Sequence, residues 1–247
     1  MADLNGIVIN TSYSDAVIPW LRSAGKPYPD FGSGNMNHLV PRIKYAVAEM
    51  EKIEDFWNVD VMFATAHFHD VVISKEGQTE GVKQLLKVYY QGRELNIDQD
   101  EIFRRCKIAM PTDEKRNMMN ASSNYDIITS IIDAVREGGS RKIFSPGVFG
   151  EIGGYPVRID ATGDELAAYI DTSVFSLEEM REANRRSIAL DGVENVENGK
   201  LIYTDALVQK VADAFDVELP KTVNFEEIDT VANYIIDNII IPQLNKK

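Results

Sequence analysis

The chain has 247 residues, 44% hydrophobic and 26% charged, with a net charge of −13, a globular composition with enough chain for one large core or two small ones. That acidity argues against a nucleic-acid groove or an anionic membrane surface as partner, while leaving room for a local basic pocket that takes an anionic metabolite. A single cysteine, Cys106, excludes an internal disulfide framework. No apolar run nears the roughly 20 residues of a membrane span, and no signal peptide opens the chain, so a reducing cytoplasm is the expected location.

In chain order, Leu4 to Asn10 reads as a buried strand around Ile7-Val8-Ile9, followed by a short helix from Ala16 to Ala24 that Gly25 and Pro27 stop. After the glycine-bearing turn Asp30-Phe31-Gly32-Ser33-Gly34-Asn35, a long amphipathic helix is predicted from Met36 to Lys52, with Leu39, Ile43, Val47 and Met50 on one side. The apolar run Val59 to Phe63 predicts a strand ending near His67, and Val82 to Tyr90 a second strand closed by a Gln91-Gly92 turn. A short helix is expected at Gln99 to Cys106, where Cys106 fills core, and a long one from Asn120 to Arg136, stopped at Gly138-Gly139.

Strands follow at Lys142 to Phe149, Tyr155 to Ile159 and Glu165 to Ile170. Ser176-Leu177-Glu178-Glu179 is a capping box that opens a helix to about Leu190. Asn198-Gly199 predicts a hairpin turn, and two further helices are expected from Thr204 to Phe215 and from Asn224 to about Ile240. Long amphipathic helices alternating with short β-branched strands give one α+β unit, with the helices packed on antiparallel, twisted sheets.

Ala66-His67-Phe68-His69-Asp70 carries two of the three histidines. At a strand end, His67 with Asp70 three residues on makes a candidate acid–base pair, because imidazole titrates near neutral pH. The alternative is a hydrogen-bonded histidine at a sheet edge. His67 and His69 at i and i+2 would share a strand face, but no third metal ligand is evident, so no metal is assigned.

The order of landmarks over roughly residues 4 to 190 resembles the C-terminal, substrate-binding domain of the lactate/malate dehydrogenase superfamily. They are Ile9-Asn10 and Asp15, Gly32-Ser33-Gly34, the Met36 to Lys52 helix, His67, Val82 to Tyr90, and Asn120-Ala121-Ser122-Ser123. After them come Gly147-Val148-Phe149-Gly150-Glu151, Tyr155-Pro156-Val157 and Ser176 to Glu179. The resemblance implies the last strand and turn of a missing nucleotide-binding domain at 1–19, a substrate-domain-like region at 20–190, and a hairpin and helical extension at 191–247.

It also implies chemistry: an NAD(P)-dependent oxidoreductase acting on a small 2-hydroxy or 2-keto acid. His67 moves the hydroxyl proton with Asp70 as its carboxylate, Arg42 holds the substrate carboxylate, and Asn10, Asn37, Ser122 and Ser123 line the pocket. Two departures stand out. Asn37 occupies the place nearest the family's aspartate, and no Gly-x-Gly-x-x-Gly turn feeds a helix. The chain alone is therefore expected to bind no dinucleotide, with NAD or NADP held by a nucleotide-binding partner subunit. The alternative is a non-catalytic ligand-binding or oligomerisation module. A homodimer is expected in either case, through apolar stripes on the Met36 to Lys52 helix or the C-terminal helix.

Overall fold

The computed structural model describes residues 7–34, 36–163 and 166–245. The start of the Leu4-to-Asn10 strand, Asn35 of the glycine turn and Glu165 lie outside the described residues. The chain begins with a two-residue strand β1 (Ile9–Asn10), helix α1 (Ser14–Ser23) and strand β2 (Phe31–Gly32), which pairs parallel with β1. Helix α2 (Met36–Glu51) leads to β3 (Val59–Ala64), helix α3 (His67–Glu76), and strands β4 (Leu85–Tyr90) and β5 (Arg93–Leu95). β3, β4 and β5 form an antiparallel meander. The β4–β5 turn, Gln91-Gly92, has both residues at positive φ, as a tight hairpin requires.

Next come α4 (Gln99–Arg105), the long α5 (Glu114–Glu137), and a second antiparallel sheet of β6 (Ser140–Pro146), β7 (Gly154–Asp160) and β8 (Ala167–Ile170). Helix α6 (Leu177–Leu190) then precedes β9 (Val193–Glu197), β10 (Lys200–Tyr203), α7 (Asp205–Phe215) and β11 (Thr222–Asn224). These last strands make a third antiparallel sheet, ordered β11-β10-β9. The chain ends in α8 (Ile228–Ile235), a π-helical turn at Ile236–Ile240, and α9 (Ile241–Leu244). The architecture is mixed helix and strand on largely antiparallel sheets.

β3 holds the body together. Val59, Val61 and Phe63 pack under α2 with Leu39, Ile43 and Val47. Met62 and Ala64 point to the other side, into a cluster with Ile127, Ile143, Tyr155 and Val157. Alternation on a strand covered on both faces accounts for the near-continuous apolar run. The two sheets meet where Gly154 N–H donates to Thr65 O at 3.0 Å. A Cβ at Gly154 would lie 2.3 Å from Met36 Sδ and 2.6 Å from Thr65 O, so this junction requires glycine.

Four expectations are corrected. His67 begins α3 instead of extending the strand, because the chain turns at Thr65-Ala66. On a helix, His67 and His69 no longer share a face. α5 starts at Glu114, capped by the Asp113 carboxylate on the Lys115 N–H, so Ser122 and Ser123 lie well inside it and not at its entrance. β6 stops at Pro146, since Gly147 takes φ +70° with no room for a Cβ beside Ser14 O. Finally, the apolar stripe of α2 is core: Leu39, Val40, Ile43 and Val47 are all buried.

The segment after α6 is fastened to the body through α1. Trp20 Nε1–H donates to Gly199 O at 2.9 Å, and Gly199 N–H donates to Ser23 Oγ at 3.1 Å. Among the described residues no helix is long and apolar enough to cross a membrane.

Candidate functional site

A cavity of about 260 Å³ opens where the β1–α1 loop, the start of α2, the start of α3 and the first turns of α5 converge. Its wall is polar: Ser12, Ser14 and Ser33 on one side, and His38, His67, Arg116, Asn120 and Asn124 on the other. Tyr13, at the rim, holds a left-handed φ of 48° and is largely exposed. For a non-glycine residue this is a sparsely populated conformation, of the kind often stored beside a site.

His67 is positioned from both ends. Its backbone N–H donates to Asp15 Oδ2 at 2.9 Å, which gives α3 the N-terminal cap its own sequence lacks. Its ring Nδ1 pairs with Asp191 Oδ2 at 3.1 Å. A carboxylate accepts, so Nδ1 carries the proton and Nε2 is left for chemistry. The Asp191 hydrogen bond raises the imidazole pKa against burial, and the charges of Asp191, Asp15 and Asp70 add to it.

Two buried carboxyls stand behind this histidine. Burial raises Asp15 to about 7, with His67 pulling it back and Asp70 pushing it further. Burial likewise raises Asp70 to about 6, against the pull of Arg42 and His67. Asp70 Oδ1 is buried with no hydrogen-bond partner among the described residues. Asp15 and Asp70 are thus both raised toward neutral pH beside a histidine whose own pKa is raised. Perturbed groups of this kind behind a cavity-lining histidine make the cavity a functional-site candidate.

Arg42 has a different position from the one the resemblance implies. Its Nε donates to His38 O at 2.9 Å, Nη1 to Cys106 O at 2.8 Å and Nη2 to Ser74 Oγ at 2.7 Å. The guanidinium ties α2 to α3 and to the end of α4, and it is absent from the cavity wall. Arg116 is the arginine that lines the cavity. With burial, its charge holds the His38 imidazole down at about 4. His38 is therefore neutral near pH 7 and donates Nε2–H to Met119 O at 3.1 Å.

The remaining candidates hold the frame. Asn10 closes its own turn, donating Nδ2–H to Ser12 O at 2.6 Å. Asn37 donates to Phe144 O at 2.6 Å from a buried position. Ser123 clamps the β2–α2 turn, accepting from Gly34 N–H and donating to Gly34 O, each at 2.9 Å. Ser33 and Asn124 bond directly across the cavity's edge, while Ser122 is exposed. His69 is a core histidine, bonded to Ser187 Oγ at 2.7 Å and Thr79 O at 3.0 Å.

His38, Arg116, Asp191 and Asn124 escape the sequence reading, and Asp15 and Asn120 enter it only as landmarks of the resemblance, not as site residues. Arg116 carried one usable signal, a position one turn inside a helix that Asp113 caps. Asp191 carried none, since 124 residues separate it from His67. Comparison of the chain with protein-family profiles, curated proteins and solved structures finds no match.

Proposed function

We propose that this cavity binds a small 2-hydroxy or 2-keto acid, and that the chain is the substrate half of an NAD(P)-dependent oxidoreductase. The observation that carries the reading is a histidine paired with a carboxylate, lining the same small cavity as an arginine. Arg116 takes the substrate carboxylate, because a guanidinium matches its two oxygens. Asn120 and Asn124 offer amide groups to the remaining oxygens. His67 Nε2 delivers or removes the hydroxyl proton, with Asp191 stabilising the imidazolium.

The residues present do not fit a dinucleotide. Gly147, Gly150 and Gly153 pack against Ser14, Arg22 and Asn184 instead of cradling a pyrophosphate at a helix N-terminus. The nicotinamide half is therefore assigned to a nucleotide-binding partner subunit, and the chain's own part is to bind the acid and move a proton at His67. The same misfit favours the second reading, a binding module without chemistry.

The test is calorimetric and NMR titration of the whole chain with pyruvate, malate and NADH. Saturable binding of either acid, lost in Arg116→Gln and with no binding of NADH, supports the reading. Absence of binding by both acids overturns it. The two readings separate on a pull-down partner that carries a nucleotide site. Turnover abolished by His67→Asn at near-constant substrate affinity supports the enzyme, and an inactive complex supports the module.

A further inference from the structure

α5 is apolar on two opposite faces. One face belongs to the core, where Ser123, Ile127 and Ala134 are buried against the second sheet. The other is exposed: Met118 is 68% accessible, Tyr125 70%, Ile128 49%, Ile132 39% and Val135 58%. With exposed Ala121, these side chains recur at alternating steps of three and four residues, the a/d repeat of a coiled-coil seam. A helix uniformly packed on its own domain has a polar outer face; this one has a second seam that runs from Met118 to Val135.

We infer that α5 pairs with α5 of a second copy, antiparallel about a twofold axis between Tyr125 and Ile128. Three observations select this occupant. First, the seam is self-complementary in that register: Met118 meets Val135 of the partner, Ala121 meets Ile132, and Tyr125 meets Ile128. The small residue lies opposite a large one. A parallel pairing would set Ala121 on Ala121 and leave a gap.

Second, the charges agree. Ser122, Asn124 and Thr129 flank the seam without charge, and the register sets Arg116 of one copy, not a like charge, opposite Glu137 of the other. Third, the area suffices. The exposed seam is on the order of 500 Å² per copy, about 1,000 Å² in total, where specific interfaces begin. Asn120 and Asn124 line the candidate cavity on this same helix, so the dimer would bring the second copy beside the site's edge.

The experiment uses the full chain in sedimentation and light scattering, with site-directed cross-linking. The wild type should be a dimer. Tyr125→Lys with Ile128→Lys, exposed positions whose substitution should leave circular dichroism unchanged, should weaken the dimer by at least about thirtyfold, the loss of a central aromatic anchor. Cys106 is buried, so introduced thiols report alone. Ala121→Cys mixed with Ile132→Cys should cross-link on oxidation, while each variant alone should not. A wild-type monomer overturns the inference. So does a dimer that survives the double lysine variant, or one that cross-links through Ile132→Cys alone.

Discussion

Asp191 Oδ2 lies 3.1 Å from His67 Nδ1. The carboxylate sits at the C-terminal end of α6 and the imidazole at the N-terminal end of α3. The pairing fixes the tautomer of the only cavity-lining histidine whose pKa is raised, among the described residues. Asp191→Asn should lower the His67 pKa, because burial then acts unopposed by the nearest carboxylate. NMR titration of the ring measures it. A raised histidine pKa stabilises the fold fully below its unfolded value and ceases to do so as pH rises through the folded value. The stability deficit of Asp191→Asn should therefore be greatest in mild acid and shrink at alkaline pH.

Asp15 has the same sign but acts over a lower pH range and for a different reason. Burial lifts its pKa from 3.8 to about 7, so the folded state holds a proton that the unfolded state releases between those values. Its contribution to stability declines as pH climbs from about 4 to 7 and is flat above. Asp15→Asn keeps an oxygen for the His67 N–H and removes the ionisation. Urea unfolding across that range should give a flatter stability profile for the variant, and an unchanged slope would show that Asp15 does not titrate there.

Arg42 and Arg116 should separate fold from binding. Arg42→Met strips three hydrogen bonds, two of them to backbone carbonyls, and should cost about 2–4 kcal/mol in denaturant unfolding. Arg116→Gln should leave the unfolding midpoint nearly unchanged and weaken binding of a small carboxylate by tenfold or more, about 1.4 kcal/mol or above.

Gly147→Ala should be among the most damaging single-methyl changes in the chain. The residue holds φ +70° and its Cβ would fall 2.2 Å from Ser14 O, which combines backbone strain with overpacking. A loss of about 3 kcal/mol or more is expected, read as a shift in thermal midpoint. Ser176→Ala, which removes the capping box on Glu179, should cost only about 1 kcal/mol.

What could be read in the sequence was local. The Ser176–Glu179 box, the Asn198-Gly199 turn and the long helix that begins at Met36 all depend on neighbours within a few residues, and the structure has each. The strand around Val59 to Ala64 was equally plain from its apolar run. The start of α3 was hidden because Ala66 offers no capping side chain and the cap comes from Asp15, 52 residues away. The start of α5 is hidden because Glu114 to Asn117 is polar and Met118 is exposed, so no core periodicity marks the first turns; only Asp113 betrays it. His38 looked like an ordinary turn of an amphipathic helix. Its role depends on Arg116, brought beside it by the packing of α5 on α2, and sequence spacing holds no trace of that approach.

The bond from Trp20 to Gly199 gives the molecule an optical gauge. Of the two tryptophans, Trp57 is 63% exposed, while Trp20 is only 9% exposed and roofed by the β9–β10 hairpin. The Phe225 ring packs edge to face against the Trp20 ring, their centroids 5.9 Å apart. Light emitted by the buried indole thus reports whether the last fifty or so residues are seated on α1, without a label. Because the Asp191 carboxylate immediately precedes that hairpin, the same signal follows the group that sets the proton affinity of His67.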